Sequence, residues 1–283
     1  MIDSPSYTPP VSHLLTYGEY LKYGFKPGTH YLDKFGLTAE HIPELIRMAS
    51  DDELQDADPD SLESWGPLHA WRALGELKAE EAIQPLISLI SPLKDNDWLL
   101  NELPNILANI GPPALPKLRD YLANPDFYLD QRSIASEALE LIGTEHPKFR
   151  QECVNILTDS LKNFSQNCPG LNGFIICSLL GLQAVESASV MEAAYAAHSV
   201  DPLLPGDWET VQVELGLKEP KPKLNNPVKW GLTEPQQKLN NPPGIPTLFE
   251  KNPKKRSQTQ DSSGFGSAGT QQKSGNKKKK KRK

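Results

Sequence analysis

Residues 69–90 read HAWRALGELKAEEAIQPLISLI, and this stretch decides the predicted fold. With Leu68, its apolar residues recur at helical spacing, first as Leu68, Trp71, Leu74 and Leu77 and then as Ile83, Leu86, Ile87 and Ile90. Such spacing places the apolar side chains on one face of an α-helix. The stretch therefore predicts two consecutive helices joined by a short turn.

The same spacing continues in three further pairs of segments, at about residues 99–122, 134–161 and 175–195. The GPP segment at 111–113 is expected to end one helix and to begin the next with proline in its first turn. Asp97 and Asp130 are expected to cap helix N-termini. Because no stretch shows the alternating β-branched residues of a strand, the sequence predicts an all-α body.

The first helices of the four predicted pairs end in similar sequences. With Leu77, Ile110, Ile142 and Leu182 taken as equivalent, the repeat lengths are 33, 32 and 40 residues. This period is typical of solenoids of helical hairpins, in which each hairpin buries its apolar face against the next. Ala and Gly near these ends are expected to let neighbouring helices approach closely, and Gly to adopt the left-handed conformation that ends a helix. A helical bundle with accidental spacing is the alternative.

The repeats are predicted to occupy residues 31–217 as one continuous solenoid. Residues 1–30 are a Tyr- and Pro-rich lead, whose tyrosines either pack on the first repeat or stay loose. Inside the body, the acidic stretch 51–60 is predicted to be a solvated loop. Residues 218–250 are predicted to be a Pro-rich linker and residues 251–283 a disordered basic tail.

The charge is divided between the body and the tail. Residues 251–283 contain twelve Lys or Arg and one acid, a net charge of +11, whereas residues 1–250 contain 18 basic and 35 acidic residues, a net charge of −17. This division argues against a nucleic-acid-binding body and leaves open a polyanion-binding tail. Attraction between the tail and the acidic body of the same chain is the alternative.

The stretch 65–90, with its HAWRALGEL and AEEAIQPLISLI segments, resembles the HEAT repeats of phycobilisome-lyase-like bacterial proteins. HIPELIRMASDDEL at 41–54 and GDWETVQVELGL at 206–217 resemble the two flanks of one bacterial HEAT-repeat family of uncharacterised function. The resemblance covers about residues 31–217 and implies a HEAT-like α-solenoid without an established activity. Some members of that family carry a zinc-binding cysteine motif at the C-terminus; this sequence has no cysteine after Cys177, so that feature is not carried over.

No catalytic, cofactor or metal site is predicted. Cys153, Cys168 and Cys177 form no Cys-x-x-Cys pair, and the six histidines show no metal-ligand spacing. Glu80 and Glu81 are interpreted as part of a solvated helix face, because nothing nearby supplies a nucleophile or a cofactor pocket.

A membrane-spanning helix is not predicted either. The longest apolar stretch, 174–182, is about half the ~20 residues that such a helix needs. The N-terminus is polar and proline-rich, without the pattern of a signal peptide. We therefore expect a cytoplasmic protein without membrane contact.

Four residues of the first repeat are candidates for a partner-binding edge: Trp65, His69, Trp71 and Arg72. His69 and Arg72, three residues apart, would share a helix face. The alternative is that these aromatic residues anchor the N-terminal end of the solenoid.

A basic block in the tail is the candidate for polyanion binding and consists of Lys277, Lys278, Lys279, Lys280, Lys281, Arg282 and Lys283. Such blocks contact RNA and other polyanions largely without sequence specificity. The segment KLNNP at 223–227 recurs at 238–242 around Trp230, as either a bivalent peptide ligand or a duplicated linker. The letters G-x-G-x-x-G at 264–269 lack a preceding strand and a following helix, and we interpret them as a chance match.

These features favour a non-enzymatic adaptor that binds an unknown protein partner through its repeats, while the tail gives non-specific contact to RNA or another polyanion. Two alternatives stay open. A lyase-like or chaperone-like factor for a tetrapyrrole-bearing protein rests on the resemblance alone. An RNA- or ribosome-associated protein rests on the lysine tail alone.

Overall fold

The body of the protein is helical. A computed structural model describes residues 6–18, 30–91 and 97–220, with side chains from residue 101 onward in the last range. Within these ranges twelve α-helices alternate with short 3-10 turns, and no strand is present. The predicted all-α body is confirmed, whereas the linker from residue 221 onward and the basic tail lie outside the described residues.

The α-helices are α1 (Tyr31–Phe35), α2 (Ile42–Ala49), α3 (Asp52–Gln55), α4 (Gly66–Glu76), α5 (Ile83–Leu89), α6 (Asp97–Ile110), α7 (Leu115–Ala123), α8 (Leu129–Glu145), α9 (Arg150–Leu161), α10 (Pro169–Gly181), α11 (Ala188–Ala196) and α12 (Trp208–Glu214). The 3-10 segments are Val11–Thr16, Ala39–His41, Glu63–Trp65, Glu80–Ala82, Pro112–Ala114, Pro147–Phe149 and Val185–Ser187.

Each predicted repeat forms a pair of α-helices: α4 with α5, α6 with α7, α8 with α9, and α10 with α11. In every pair a 3-10 turn leads directly into the second helix. At the predicted break after α6, Gly111 has a φ of +94° and the Pro112–Ala114 turn begins the next helix. Only glycine adopts that φ readily, which explains why the chain reverses there.

The left-handed residues that follow α4 and α10 are Lys78, with a φ of 54°, and Gln183, with a φ of 51°. Gly75 and Gly181 lie inside those two helices instead. The prediction that these two glycines adopt the left-handed conformation is therefore wrong. After each helix a backbone hydrogen bond closes the last turn, from Ala79 N–H to Leu74 O at 3.1 Å in the first case.

Two local predictions from acidic residues need correction. Asp130 lies in the first turn of α8 and Tyr128 holds the N-cap position, where its N–H donates to Gln131 Oε1 at 2.8 Å. The acidic stretch 51–60 is not all loop, because the side chain of Asp51 accepts hydrogen bonds from the first N–H groups of α3. Asp97 begins α6, and its side chain lies outside the described part.

The first helices of the pairs contact one another in chain order, α4 with α6, α6 with α8 and α8 with α10, while α2 packs on α4. Small residues allow this close approach: a Cβ atom at Gly75 would lie 3.3 Å from the Ile106 side chain, and one at Gly143 would lie 2.7 Å from Leu182. The second helices α7, α9 and α11 contact their neighbours in the same order but less extensively. The second helices therefore pack less closely on one another than the first helices do.

The N-terminal lead is part of the core where it is described. Tyr7, Val11 and Leu14 are buried in the same apolar cluster as the helices. The Tyr7 hydroxyl donates to Asp51 Oδ2 at 2.5 Å, and the Arg47 guanidinium lies 4.1 Å from the centre of the Tyr7 ring. These residues of the lead therefore cover the first repeat.

Candidate functional site

The four residues predicted to form a partner-binding edge of the first repeat are buried or half-buried. Trp71 is 1% exposed and its Nε1–H donates to Ala49 O at 2.8 Å, which fixes α4 against the end of α2. Trp65 is half-buried and borders a small cavity of about 180 Å³ between α4 and the segment that follows α3. The two tryptophans thus pack the N-terminal end of the body, as the alternative interpretation has it.

His69 lies on α4 and is fully buried against the N-terminal lead. Its Nε2 lies 3.0 Å from Gly18 O, and its Nδ1 lies 3.0 Å from the Tyr31 hydroxyl. Because a carbonyl oxygen can only accept, Nε2 carries the proton and the Tyr31 hydroxyl donates to Nδ1. Burial lowers the pKa of His69 to about 4, so the imidazole is neutral near pH 7.

Arg72 joins α4 to α6 through a two-pronged ion pair with Glu102. Its Nε donates to Glu102 Oε2 at 3.0 Å and its Nη2 donates to Oε1 at 2.5 Å. Burial alone would lower the pKa of Arg72, but the Glu102 carboxylate raises it above its ordinary value. This positive charge is therefore compensated inside the chain.

A larger cavity lies elsewhere, between α7 and α9. Its volume is about 420 Å³, within the range of small-molecule and peptide side-chain pockets. The lining combines apolar side chains, amides and two arginines: Arg119, Leu122, Ala123, Pro125, Arg132, Ile156, Asp159, Ser160, Asn163, Gln166 and Asn167. No pattern in the sequence predicted this cavity.

Arg132, in the first turn of α8, is the most deeply placed charge of this lining and is 8% exposed. Its Nε donates to Leu122 O in the last turn of α7 at 2.7 Å, and its Nη2 donates to Asn167 Oδ1 at 3.1 Å. Cations at a helix C-terminus satisfy its free carbonyl groups. The two bonds hold the guanidinium in place and leave Nη1 without a hydrogen bond to any described residue.

An amide network fixes the Asn167 side of the cavity. Asn167 Nδ2 donates to Ser160 O at 3.1 Å and to Asn172 Oδ1 at 3.0 Å. Asn172 is fully buried and donates in turn to Phe164 O at 2.9 Å and Ser199 O at 2.7 Å. Since each member is held by at least two bonds, the position of the Arg132 partner is well defined before any ligand binds.

The charge of Arg132 is not compensated. Across the described ranges no carboxylate forms an ion pair with it. Asp159 lines the same cavity, but its carboxylate accepts from Lys162 Nζ at 2.7 Å. Burial lowers the pKa of Arg132 below its ordinary value, which reflects the cost of this isolated charge.

The sequence pattern of α8 indicates that Arg132 occupies an unusual position. Ala135, Ser136 and Leu139, three, four and seven residues further along α8, are all buried, so Arg132 falls on the inward face of the helix. An arginine on an otherwise inward-facing stripe is unusual, because arginine is seldom buried without a partner. The spacing therefore points to Arg132, although it does not show what the residue contacts.

The described residues contain no group of three or more His, Cys, Asp or Glu side chains arranged to hold a metal ion. Within the same ranges, every helix is too short or too polar to cross a membrane.

Comparison with protein-family models, with curated proteins and with solved structures finds no match for this chain.

Proposed function

We propose that the chain is a non-enzymatic adaptor whose helical pairs form a HEAT-like solenoid, and that it binds a protein partner at the cavity between α7 and α9. The observation that carries this proposal is the isolated charge of Arg132 in the lining of that cavity. A charge held by two hydrogen bonds and not neutralised is suited to binding a ligand that enters from outside.

The order of helix contacts supports the solenoid part of the proposal. In a solenoid each hairpin contacts mainly its neighbours in the chain, and the first helices α4, α6, α8 and α10 do so.

The basic tail adds a second, weaker contact in this proposal. Its block of lysines would attract a polyanion with little sequence preference, which raises affinity near a partner complex that contains RNA. This part rests on the sequence 277–283, because the tail lies outside the described residues.

Site-specific photocrosslinking in cell extract tests the proposal. A photoreactive amino acid replaces Gln166, in the cavity lining, in the full-length chain. The matched control carries it at Gln151, an exposed position on α9 outside that lining. We expect a protein crosslinked from position 166 but not from position 151, with or without nuclease.

Identical products from both positions would contradict a partner site at the cavity. Products that vanish with nuclease from both positions would replace the adaptor proposal with an RNA-associated protein that acts through its tail.

A further inference from the structure

The guanidinium of Arg132 has hydrogen-bond donors that no described residue uses. These donors indicate which kind of ligand the cavity would bind. A guanidinium has five N–H groups, and two of them are used, one by Leu122 O and one by Asn167 Oδ1. The remaining donors have no partner among the described residues. They form the end of the guanidinium that an additional acceptor with two oxygens would match.

Other arginines of the body show that this arrangement is unusual for the chain. Arg72 pairs with Glu102 in the interior, and Arg150 pairs with Glu186 at 2.8 Å near the surface. At these two other positions, a carboxylate of the body therefore neutralises the arginine. At Arg132 the hydrogen-bond partners of the guanidinium are a carbonyl and an amide, both neutral, and the titratable group that acts on its charge is the Cys168 thiol rather than a carboxylate.

The lining favours a single carboxylate over a phosphate or a nucleic acid. One deeply placed cation matches one negative charge, and the second arginine, Arg119, is exposed and lies 3.3 Å from Asp120. The basic tail of the same chain is unsuited to the cavity, because its lysines would face a like charge.

The other polar groups of the lining match a peptide. Asn163 and Gln166 each offer an amide donor and an amide acceptor, the same pair that a peptide backbone presents. A cavity of about 420 Å³ has room for an acidic side chain with its flanking peptide groups.

We propose that the cavity between α7 and α9 is a receptor for a single Asp or Glu carboxylate on an extended segment of the partner protein, bound by the free end of Arg132. The inference rests on the proposed adaptor function and names the chemistry of its partner. Asn163 and Gln166 bind the backbone on either side of the acidic residue.

Titration of the full-length chain with short peptides tests this inference. The probes are acetyl-Gly-Glu-Gly-amide, its glutamine counterpart acetyl-Gly-Gln-Gly-amide, and inorganic phosphate, each followed by calorimetry. We expect the glutamate peptide to bind at least tenfold more tightly than the glutamine peptide, because only the carboxylate forms a charge-assisted pair with Arg132. Phosphate is expected to bind more weakly than the glutamate peptide.

Three variants connect the binding to the cavity. Arg132→Gln is expected to weaken the glutamate peptide at least tenfold. Asn163→Asp keeps Arg132 and the fold but adds a negative charge to the lining, and it is expected to weaken that peptide at least threefold. Asn155→Asp makes the same change at an exposed position of α9 and is expected to change the affinity less than twofold.

Equal affinity for the two peptides, or full binding by Asn163→Asp, would overturn the inference. Binding of phosphate without binding of the glutamate peptide would overturn it in favour of a free anion. A partner crosslinked from position 166 together with equal peptide affinities would refute the carboxylate chemistry alone, and the adaptor function would stand.

Discussion

Two arginines with little exposure, each on the first helix of a pair, meet different partners: Arg72 meets a carboxylate, and Arg132 meets neutral groups. Arg72 on α4 faces α6, where Glu102 meets it with both oxygens. Arg132 on α8 faces α7 and the segment after α9, where it meets a carbonyl and an amide. The pKa of Arg72 is raised by its carboxylate partner, and that of Arg132 is lowered by burial.

The difference separates a closed interface from one beside a cavity. Around Arg72, the buried His69 and Trp71 complete their hydrogen bonds inside the chain. Around Arg132, α7 and α9 border a cavity, and the guanidinium has donors that no described residue uses. The same residue type thus completes an ion pair inside the body at α4 and lies beside a cavity at α8.

The largest expected effect comes from a substitution that removes the carboxylate partner of Arg72, so that Arg72, like Arg132, has no carboxylate in contact with it. Glu102→Gln removes the carboxylate that neutralises Arg72 at the interface of α4 and α6. Breaking a buried ion pair from one side is strongly destabilising, and we expect the free energy of unfolding to fall by about 3 kcal/mol. Denaturant unfolding measures this loss.

The control for that change is Asp120→Asn, beside the exposed Arg119. It should alter stability by less than about 0.5 kcal/mol, because exposed ion pairs contribute little. An equally small effect of Glu102→Gln would show that the two arginines do not differ as described.

The buried, neutral imidazole of His69 is expected to make the free energy of unfolding depend on pH. Its pKa is about 4 in the folded chain and near the ordinary 6.5 in the unfolded chain. Between these values the unfolded chain binds a proton that the folded chain does not, so stability falls as the pH drops from 6.5 to 4. The fall attributable to His69 is about 2 to 3 kcal/mol and levels off below pH 4.

His69→Gln should remove this part of the pH dependence. Urea unfolding at several pH values between 4 and 7 measures it, and His13→Gln at an exposed position is the matched control. A slope in His69→Gln as steep as that of the unchanged chain would contradict the neutral, buried imidazole.

The close packing of the first helices predicts a smaller cost at Gly75. Gly75→Val would push its side chain against Ile106, whose backbone lies 3.4 Å from the Cβ position. We expect a loss of about 2 kcal/mol, because overpacking at a helix interface forces the backbones apart. Ser88→Val, at an exposed position of α5, controls for the intrinsic cost of valine in a helix. Equal losses would show that α4 and α6 are not in close contact.

The smallest expected effect is that of Asn163→Asp. Asn163 is exposed and its Nδ2 donates to Asp159 O at 3.4 Å, so the change removes one weak hydrogen bond at the surface. We expect stability to change by less than about 0.5 kcal/mol. Thermal unfolding beside Asn155→Asp measures the difference. A loss of more than about 1 kcal/mol would show that Asn163 holds the segment after α9 in place.

Much of the fold could be predicted because helical spacing is a local property. Leu74 and Leu86 lie on buried helix faces in the structure as in the sequence pattern. Helix ends were predicted less well, since Lys78 and Gln183 adopt left-handed conformations that their residue types disfavour. Such ends depend on how the next helix packs.

The site could not be predicted in the same way, because its contacts are distant in the sequence. His69 is buried by Gly18, 51 residues away, and Arg132 is held by Asn167, 35 residues away. Residue type alone made His69 and Trp71 candidates for a surface edge, although the chain covers both. Conversely, the inward stripe of α8 identifies Arg132 as unusual without showing that its neighbours are neutral.

The central claim is that the cavity between α7 and α9, and not the first repeat, accepts a single Asp or Glu carboxylate. The most direct test is an NMR titration of the full-length chain with acetyl-Gly-Glu-Gly-amide, observing the Arg132 Nε–H, the Asn167 side-chain amide and the indole N–H of Trp71. We predict shifts at Arg132 and Asn167 and none at Trp71. Shifts at Trp71 with none at Arg132 would contradict the account.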